Sequence, residues 1–199
     1  MKRLAGAIAI LLYLSLYAFS QTAADRDRAI KYLESTKQGV INATDGLSDA
    51  QWNFKPGPDR WSVAEVTEHI AAAEGFIRGM IVEQVMKAPA RPDGDDVAAL
   101  DELVMAKVPD RSNKRQAPDP IKPTNRYGSG PASLKAFMDS RAQTEEFLTS
   151  HDDLRAHATD SPFGKKLDGY QWVLFIAAHS ERHTKQILEV KADPNFPKK

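Results

Sequence analysis

Apolar residues recur every three or four positions in four long stretches of the chain, the spacing that lines one face of an α-helix. The first stretch runs from Ala24 to Thr44, with Ile30, Leu33, Val40 and Ile41 on its apolar side. The second runs from Ser62 to Lys87 and carries Val66, Ile70, Ala73, Phe76, Ile77, Met80 and Ile81. The third, Pro131 to Ser150, uses Leu134, Phe137, Met138, Phe147 and Leu148. The fourth, Asp168 to Ala192, has Trp172, Phe175, Ile176, Ile187 and Val190 on one side. A shorter helical pattern covers Asp96 to Val108. Ser62 with Glu65, and Asp168 with Gln171, are spaced as capping pairs that satisfy the free amides of a first helical turn. Pro89, Pro92 and Pro194 stop the pattern where they fall. No alternation of strand length and no internal repeat is present. The pattern therefore predicts an all-α fold, a four-helix bundle.

Three irregular stretches separate the helices. Residues 45–60 are rich in turn formers. Residues 151–167 break periodicity again. Residues 109–131 hold five prolines and two glycines, so the second and third long helices are joined by a long Pro-rich loop. A loop of that length is either a lid over a site or a solvated connector. With two long connections, a simple up-down-up-down order is not required.

The first 20 residues are of a different kind. Lys2 and Arg3 precede an apolar run from Leu4 to Phe19 that ends in small residues, the layout of a secretory signal. The run falls short of the roughly 20 residues of a membrane span. Cleavage is expected near Ser20–Gln21, which leaves residues 21–199 as one domain in the periplasm or secreted, with no membrane association afterwards. An uncleaved N-terminal anchor is the alternative. The chain balances 27 basic against 27 acidic residues and contains no cysteine. It has no basic stripe of the kind nucleic acid requires. It also has no disulfides and no thiolate to serve as nucleophile or ligand.

What chemistry remains is concentrated in histidines. At about 100° per residue, His183 lies about 40° from His179, and Trp172 and Val190 each about 20° from it. The pair "HSERH" therefore sits within the apolar stripe. His69 lies within the stripe of the second helix, between Val66 and Ala73. An imidazole buried without a partner costs on the order of 1–3 kcal/mol. Either other buried side chains satisfy these three rings or a metal does. Three neutral imidazoles with open positions beside them form the ligand pattern of a catalytic zinc site, and nickel, iron or manganese accept the same donors. Position 180 is serine, so the H-E-x-x-H protease motif is absent. Glu65, about 40° from His69, is either an outer contact of such a site or only a helix cap. Gln186, about 20° from His179, is either a support for a histidine or a surface residue. Glu181 and Arg182 read as solvated charges. Trp61 and Trp172 are expected to pack near the site, with Arg126 and Tyr127 in the loop as weaker candidates. His151 and His157 fall outside the helices. No catalytic acid, base or nucleophile can be assigned.

The segments "WSVAEVTEHIAAAE" (61–74) and "LDGYQWVLFIAAHSERHTKQILEVKADPNFP" (167–197) resemble the DinB superfamily, the DinB/YfiT-like metalloenzymes, and within it the DinB-like domain. The resemblance extends from about residue 25 to residue 197 and is weakest in the Pro-rich loop. It implies an up-down-down-up helix order, with the possibility of a homodimer. It also implies a divalent metal, zinc or nickel foremost and iron or manganese after them, held by His69, His179 and His183. Members of the family are described as metal-dependent hydrolases or as S-transferases using low-molecular-weight thiols. The expectation is thus an exported metal-dependent hydrolase of a small molecule. The alternatives are a thiol S-transferase and a non-catalytic metal-binding stress protein.

Overall fold

The computed structural model describes residues 20–92 and 94–198. The expected signal segment, up to Phe19, lies outside the described residues. Four long helices form the body: α1 (Ala23–Thr44), α3 (Val63–Glu83), α5 (Gly130–Ser150) and α6 (Gly169–Lys191). Two shorter ones, α2 (Asp49–Asn53) and α4 (Val97–Lys107), lie in the connections. Each long helix begins at a side-chain cap. Thr22, Ser62 and Asp168 form reciprocal capping boxes with Asp25, Glu65 and Gln171, and Ser129 caps α5 with Pro131 in its first turn. These contacts satisfy amides that a helix leaves free at its start.

Helix directions follow from side-chain contacts at known heights. Tyr170 Oη donates to Asp25 O near the start of α1, and Lys191 Nζ donates to Ala43 O near its end, so α1 and α6 are parallel. Glu74 meets Arg141 and, one turn on, Arg78 meets Thr144, so α3 and α5 are parallel. Gln21, just before α1, bonds to Leu148 O near the end of α5, so those two helices are antiparallel. The order is up-down-down-up, as the resemblance implies. Around the bundle, α1 packs on α6, α6 on α3, α3 on α5 and α5 on α1.

Two apolar clusters fill the interior. One is built from Leu33, Ile77, Ile81, Leu148, Leu174 and Ile176, the other from Val40, Val66, Ile70, Phe137 and Ile187. Each such side chain stabilises the fold by about 1.5–3 kcal/mol on burial. Between the clusters sits Arg141, 0% exposed. Its five N–H donors reach Glu74 twice (2.6 and 3.0 Å), Thr36 and Ser180 (2.9 Å each) and Leu33 O. One guanidinium thereby joins all four long helices. A second buried arginine, Arg155, lies over the Tyr170 ring and binds Asp101 (2.8 and 2.9 Å), Asp25 (3.0 Å) and Asp168 (3.3 Å). It ties α4 and the start of α1 to the cap of α6.

The structure differs from the periodicity in four places. The second long helix ends at Glu83, and Val85–Lys87 tightens into a 3-10 turn ahead of Pro89. Residues 45–60 contain α2, whose capping box joins Ser48 and Gln51; five residues are too few to show a period. Residues 151–168 contain a hairpin of β1 (Ala158–Asp160) and β2 (Lys166–Asp168), three residues each and below any detectable alternation. Phe76 and Met138, counted as apolar-face residues, lie at the margins of their stripes and are exposed. Gly130 opens α5 where the Trp52 ring of α2 lies against its backbone, in space that a Cβ would take. Among the described residues, no helix is long and apolar enough to cross a membrane.

Candidate metal centre

His69 lies two turns into α3, a height set by the Ser62 cap and a direction set by the Val66, Ile70 and Ala73 stripe. His179 and His183 lie on the inward face of α6, which runs antiparallel to α3 beside it. The three Nε2 atoms converge. His69 and His179 are separated by 3.3 Å, His69 and His183 by 3.2 Å, and His179 and His183 by 3.1 Å. His69 and His183 are 2% and 8% exposed, and His179 is half-buried.

This separation suits an ion. A metal about 2.1 Å from each nitrogen, with ligand angles of about 90–110°, requires nitrogens about 3.0–3.4 Å apart. The tautomers suit it too. His69 Nδ1 lies 2.9 Å from Ile121 O, which only accepts, so Nδ1 carries the proton and Nε2 presents its lone pair. His183 Nδ1 lies 2.8 Å from Gln186 Oε1, with the same consequence. At least two lone pairs thus face one point, an arrangement that a cation relieves. Among the described residues, no carboxylate or further histidine joins the group.

Electrostatics keep the rings neutral. Burial holds His69 below the ordinary imidazole value, with Arg126 adding to the effect and the Ile121 carbonyl opposing it. Burial, then His69 and Arg182, hold His179 well below it, and burial, then His179 and His69, do the same for His183. Neutral imidazole is the metal-binding form.

The surroundings match a known family. The family model for the DinB superfamily matches residues 32–187. The chain belongs to the DinB superfamily. It is 30% identical over 152 residues to the uncharacterized protein YuaE of Bacillus subtilis (strain 168), an alignment covering 75% of this chain and 89% of that one. Its fold is similar to that of YfiT from Bacillus subtilis, with a TM-score of 0.56, 15% identity, and coverage of 89% of this chain and 92% of the other. YfiT is described as a probable metal-dependent hydrolase with an unusual four-helix bundle topology.

In this DinB-superfamily chain the Pro-rich loop is fastened to the site. Besides the Ile121 carbonyl, its fixings include Glu68, next to His69 and 4% exposed. Glu68 accepts from the backbone amides of Thr124 (2.7 Å), Asn125 (2.9 Å) and Arg126 (3.2 Å), and from Arg126 Nε. Asn125 turns the chain there with φ of 62°, which asparagine tolerates better than most residues. Arg126 in turn donates to Pro120 O and Lys122 O, on either side of Ile121. Arg182, expected as a solvated charge, instead holds the loop's start by donating to Val108 O, Asp110 O and Asn113 O. Glu181 is likewise engaged, accepting from Tyr32 Oη at 2.7 Å. Of the lid and the connector, the structure therefore shows a strap anchored on both histidine-bearing helices.

The remaining candidates separate cleanly. Gln186 touches His183. Glu65 spends its carboxylate on Ser62 N (2.8 Å) and Lys55 (2.9 Å), the capping role. Trp61 packs 5.0 Å from the His69 ring, and Phe175 stacks on His179 with Trp172 behind it. Tyr127 packs with the cluster around Trp52 and Val63. His151 and His157 bond to Phe147 O and Ala88 O, away from the group. Glu68 and Arg111 were not singled out from sequence. Glu68 carried a usable signal, being a carboxylate beside an inward histidine.

The lowered values set a pH dependence. An unfolded imidazole titrates near 6.5, above all three folded values. Below that pH the unfolded chain therefore binds more protons, and stability falls as pH falls. Metal-free protein is expected to show a lower urea midpoint at pH 5 than at pH 7.5, with a shallower dependence in a His179→Gln, His183→Gln double variant. Equal pH slopes in the two proteins would count against neutral buried rings.

Proposed function

We propose that the protein is an exported, metal-dependent hydrolase of a small molecule, with zinc or nickel held by His69, His179 and His183. The observation that carries this is the convergence of three Nε2 atoms within 3.3 Å, with the protons of two rings held on the outer nitrogens. The supporting observation is the donor count. Structural zinc sites are closed by four protein ligands, whereas catalytic ones have three and leave positions for substrate. The group here has three, and the chain has no cysteine to add.

A divalent ion held there supplies Lewis acidity at its remaining positions. The protein's own part is to orient and to exclude. Ile121 O and Gln186 fix two rings, Phe175 stacks on His179, and Trp61 packs apolar surface beside His69. The YfiT description fits this reading, and residues 1–20 carry the case for export.

Reconstitution tests it. Purified protein stripped with a chelator is expected to take up one Zn2+ per chain. The loaded form is then expected to hydrolyse at least one class among small esters, amides and phosphoesters that the stripped form leaves intact. Turnover only with an added low-molecular-weight thiol would make the protein a transferase. Uptake with turnover in no class would leave a metal-binding protein that is not an enzyme. Mass analysis of the extracellular or periplasmic form is expected to place its N-terminus near Gln21.

A further inference from the structure

The outer contact of His183 does not end at Gln186. Gln186 Oε1 also receives Arg111 Nη1 at 3.2 Å, and Arg111 is gripped by Glu189, Nε to Oε1 and Nη2 to Oε2, both at 2.7 Å. Arg111 belongs to the Pro-rich loop, while Gln186 and Glu189 lie on α6, one and two turns beyond His183. A chain of four side chains thus runs Glu189, Arg111, Gln186, His183.

The direction of its hydrogen bonds is forced. A guanidinium only donates. The Gln186 atom facing Arg111 must then be the amide oxygen. The same oxygen faces His183 Nδ1, so Nδ1 must donate. The proton of His183 is thereby held on the outer nitrogen, and the lone pair of Nε2 points at the other two histidines. Without Arg111 the amide is free to turn over. Its NH2 would then donate to Nδ1 and move the ring proton to Nε2, where it excludes an ion.

We propose that Arg111 is a positioning residue of the metal centre, selecting the metal-binding tautomer of His183 by fixing which face Gln186 presents. This rests on the metal reading above. It gives the loop a chemical task at the site, because the acceptor for His69, Ile121 O, comes from the same loop. Both outer contacts of the site are thus either made or steered by the Pro-rich segment.

The test uses the full chain and Zn2+ as the probe, with affinity read by competition against a chromophoric chelator and folding by circular dichroism. Outer-sphere losses typically weaken metal binding by about 10–100-fold. Arg111→Met is expected to show a loss in that range with uptake still at one Zn2+ per chain. Adding Gln186→Glu to Arg111→Met is expected to restore affinity to within about threefold of wild type, since a carboxylate only accepts and fixes the tautomer unaided. Wild-type affinity in Arg111→Met overturns the proposal. So does failure of Gln186→Glu to rescue, which would mean that Arg111 merely tethers the loop. Should Arg111→Met not fold, Gln186→Leu is expected to show the loss and Gln186→Glu alone to match or exceed wild type; the reverse order overturns the proposal. A wild-type chain that binds no Zn2+ overturns the metal reading itself, and the Arg111 role with it.

Discussion

Alanine in place of His183 is expected to lower Zn2+ affinity by well over the roughly 100-fold that outer contacts provide, and alanine at His69 or His179 to do the same. Each ring supplies one of three donors, and among the described residues no carboxylate or further histidine stands close enough to replace it. Stability offers an independent readout. A ligand that binds only the folded state adds about 2.7 kcal/mol when its free concentration is a hundred times Kd. Wild type is expected to gain that much from zinc, while each alanine variant gains almost nothing at the same concentration. The metal-free variants should retain their helical spectrum, because none of these rings joins all four long helices. Equal zinc-induced shifts in wild type and His183→Ala would remove the ring from the metal site.

The largest loss of stability is expected at Arg141. Arg141→Leu leaves Glu74, 2% exposed, as a buried carboxylate without its paired guanidinium. Thr36 and Ser180 lose their donor in the same step, and Leu33 O keeps only Thr36 Oγ1 among its side-chain donors. Removing one partner of a buried ion pair typically costs about 3–5 kcal/mol, a large share of the roughly 5–15 kcal/mol that holds a domain together. Replacing both partners with apolar residues of similar volume is often neutral. The Glu74→Leu, Arg141→Met double variant is therefore expected to regain most of the loss. Urea denaturation of the three proteins checks this. A double variant as unstable as Arg141→Leu would show that the hydrogen bonds to α1 and α6, rather than the pairing with Glu74, carry the effect.

The helices and the three histidines were legible because both announce themselves locally. An amphipathic segment of 21 or 23 residues repeats its pattern several times, and the Ser62 and Asp168 caps mark where the two start. Inward direction then follows for any residue on the stripe, which is how His69, His179 and His183 could be brought together. The same rule applied to Arg141, which lies on a line with Phe137, Thr144 and Leu148, all buried. It applied to Glu74 as well, between Ile70 and Ile77. A cation on one stripe and an anion on another announce a buried pair, but charge by itself reads as solvated surface. Arg182 was misread for a different reason. What it contacts is main chain 69–74 residues away, and no periodicity reports that. The loop's role was hidden likewise, since Ile121 reaches His69 through a carbonyl that every residue possesses.

The helix order has a consequence for how such a site can change. Because α3 and α5 run in the same direction, the chain must travel back along a helix of about 30 Å before α5 can begin. That return path delivers residues 108–127 to the end of the bundle where His69 lies. An order with alternating directions would need only a short turn at the opposite end, and no segment would come back past the histidines. The three histidines are thus anchored on packed helices, while Ile121, which holds His69, and Arg111, which holds Gln186, ride on the connector. A change in this connector would alter the contacts at the outer nitrogens of His69 and His183 while the bundle that carries the three rings stays the same.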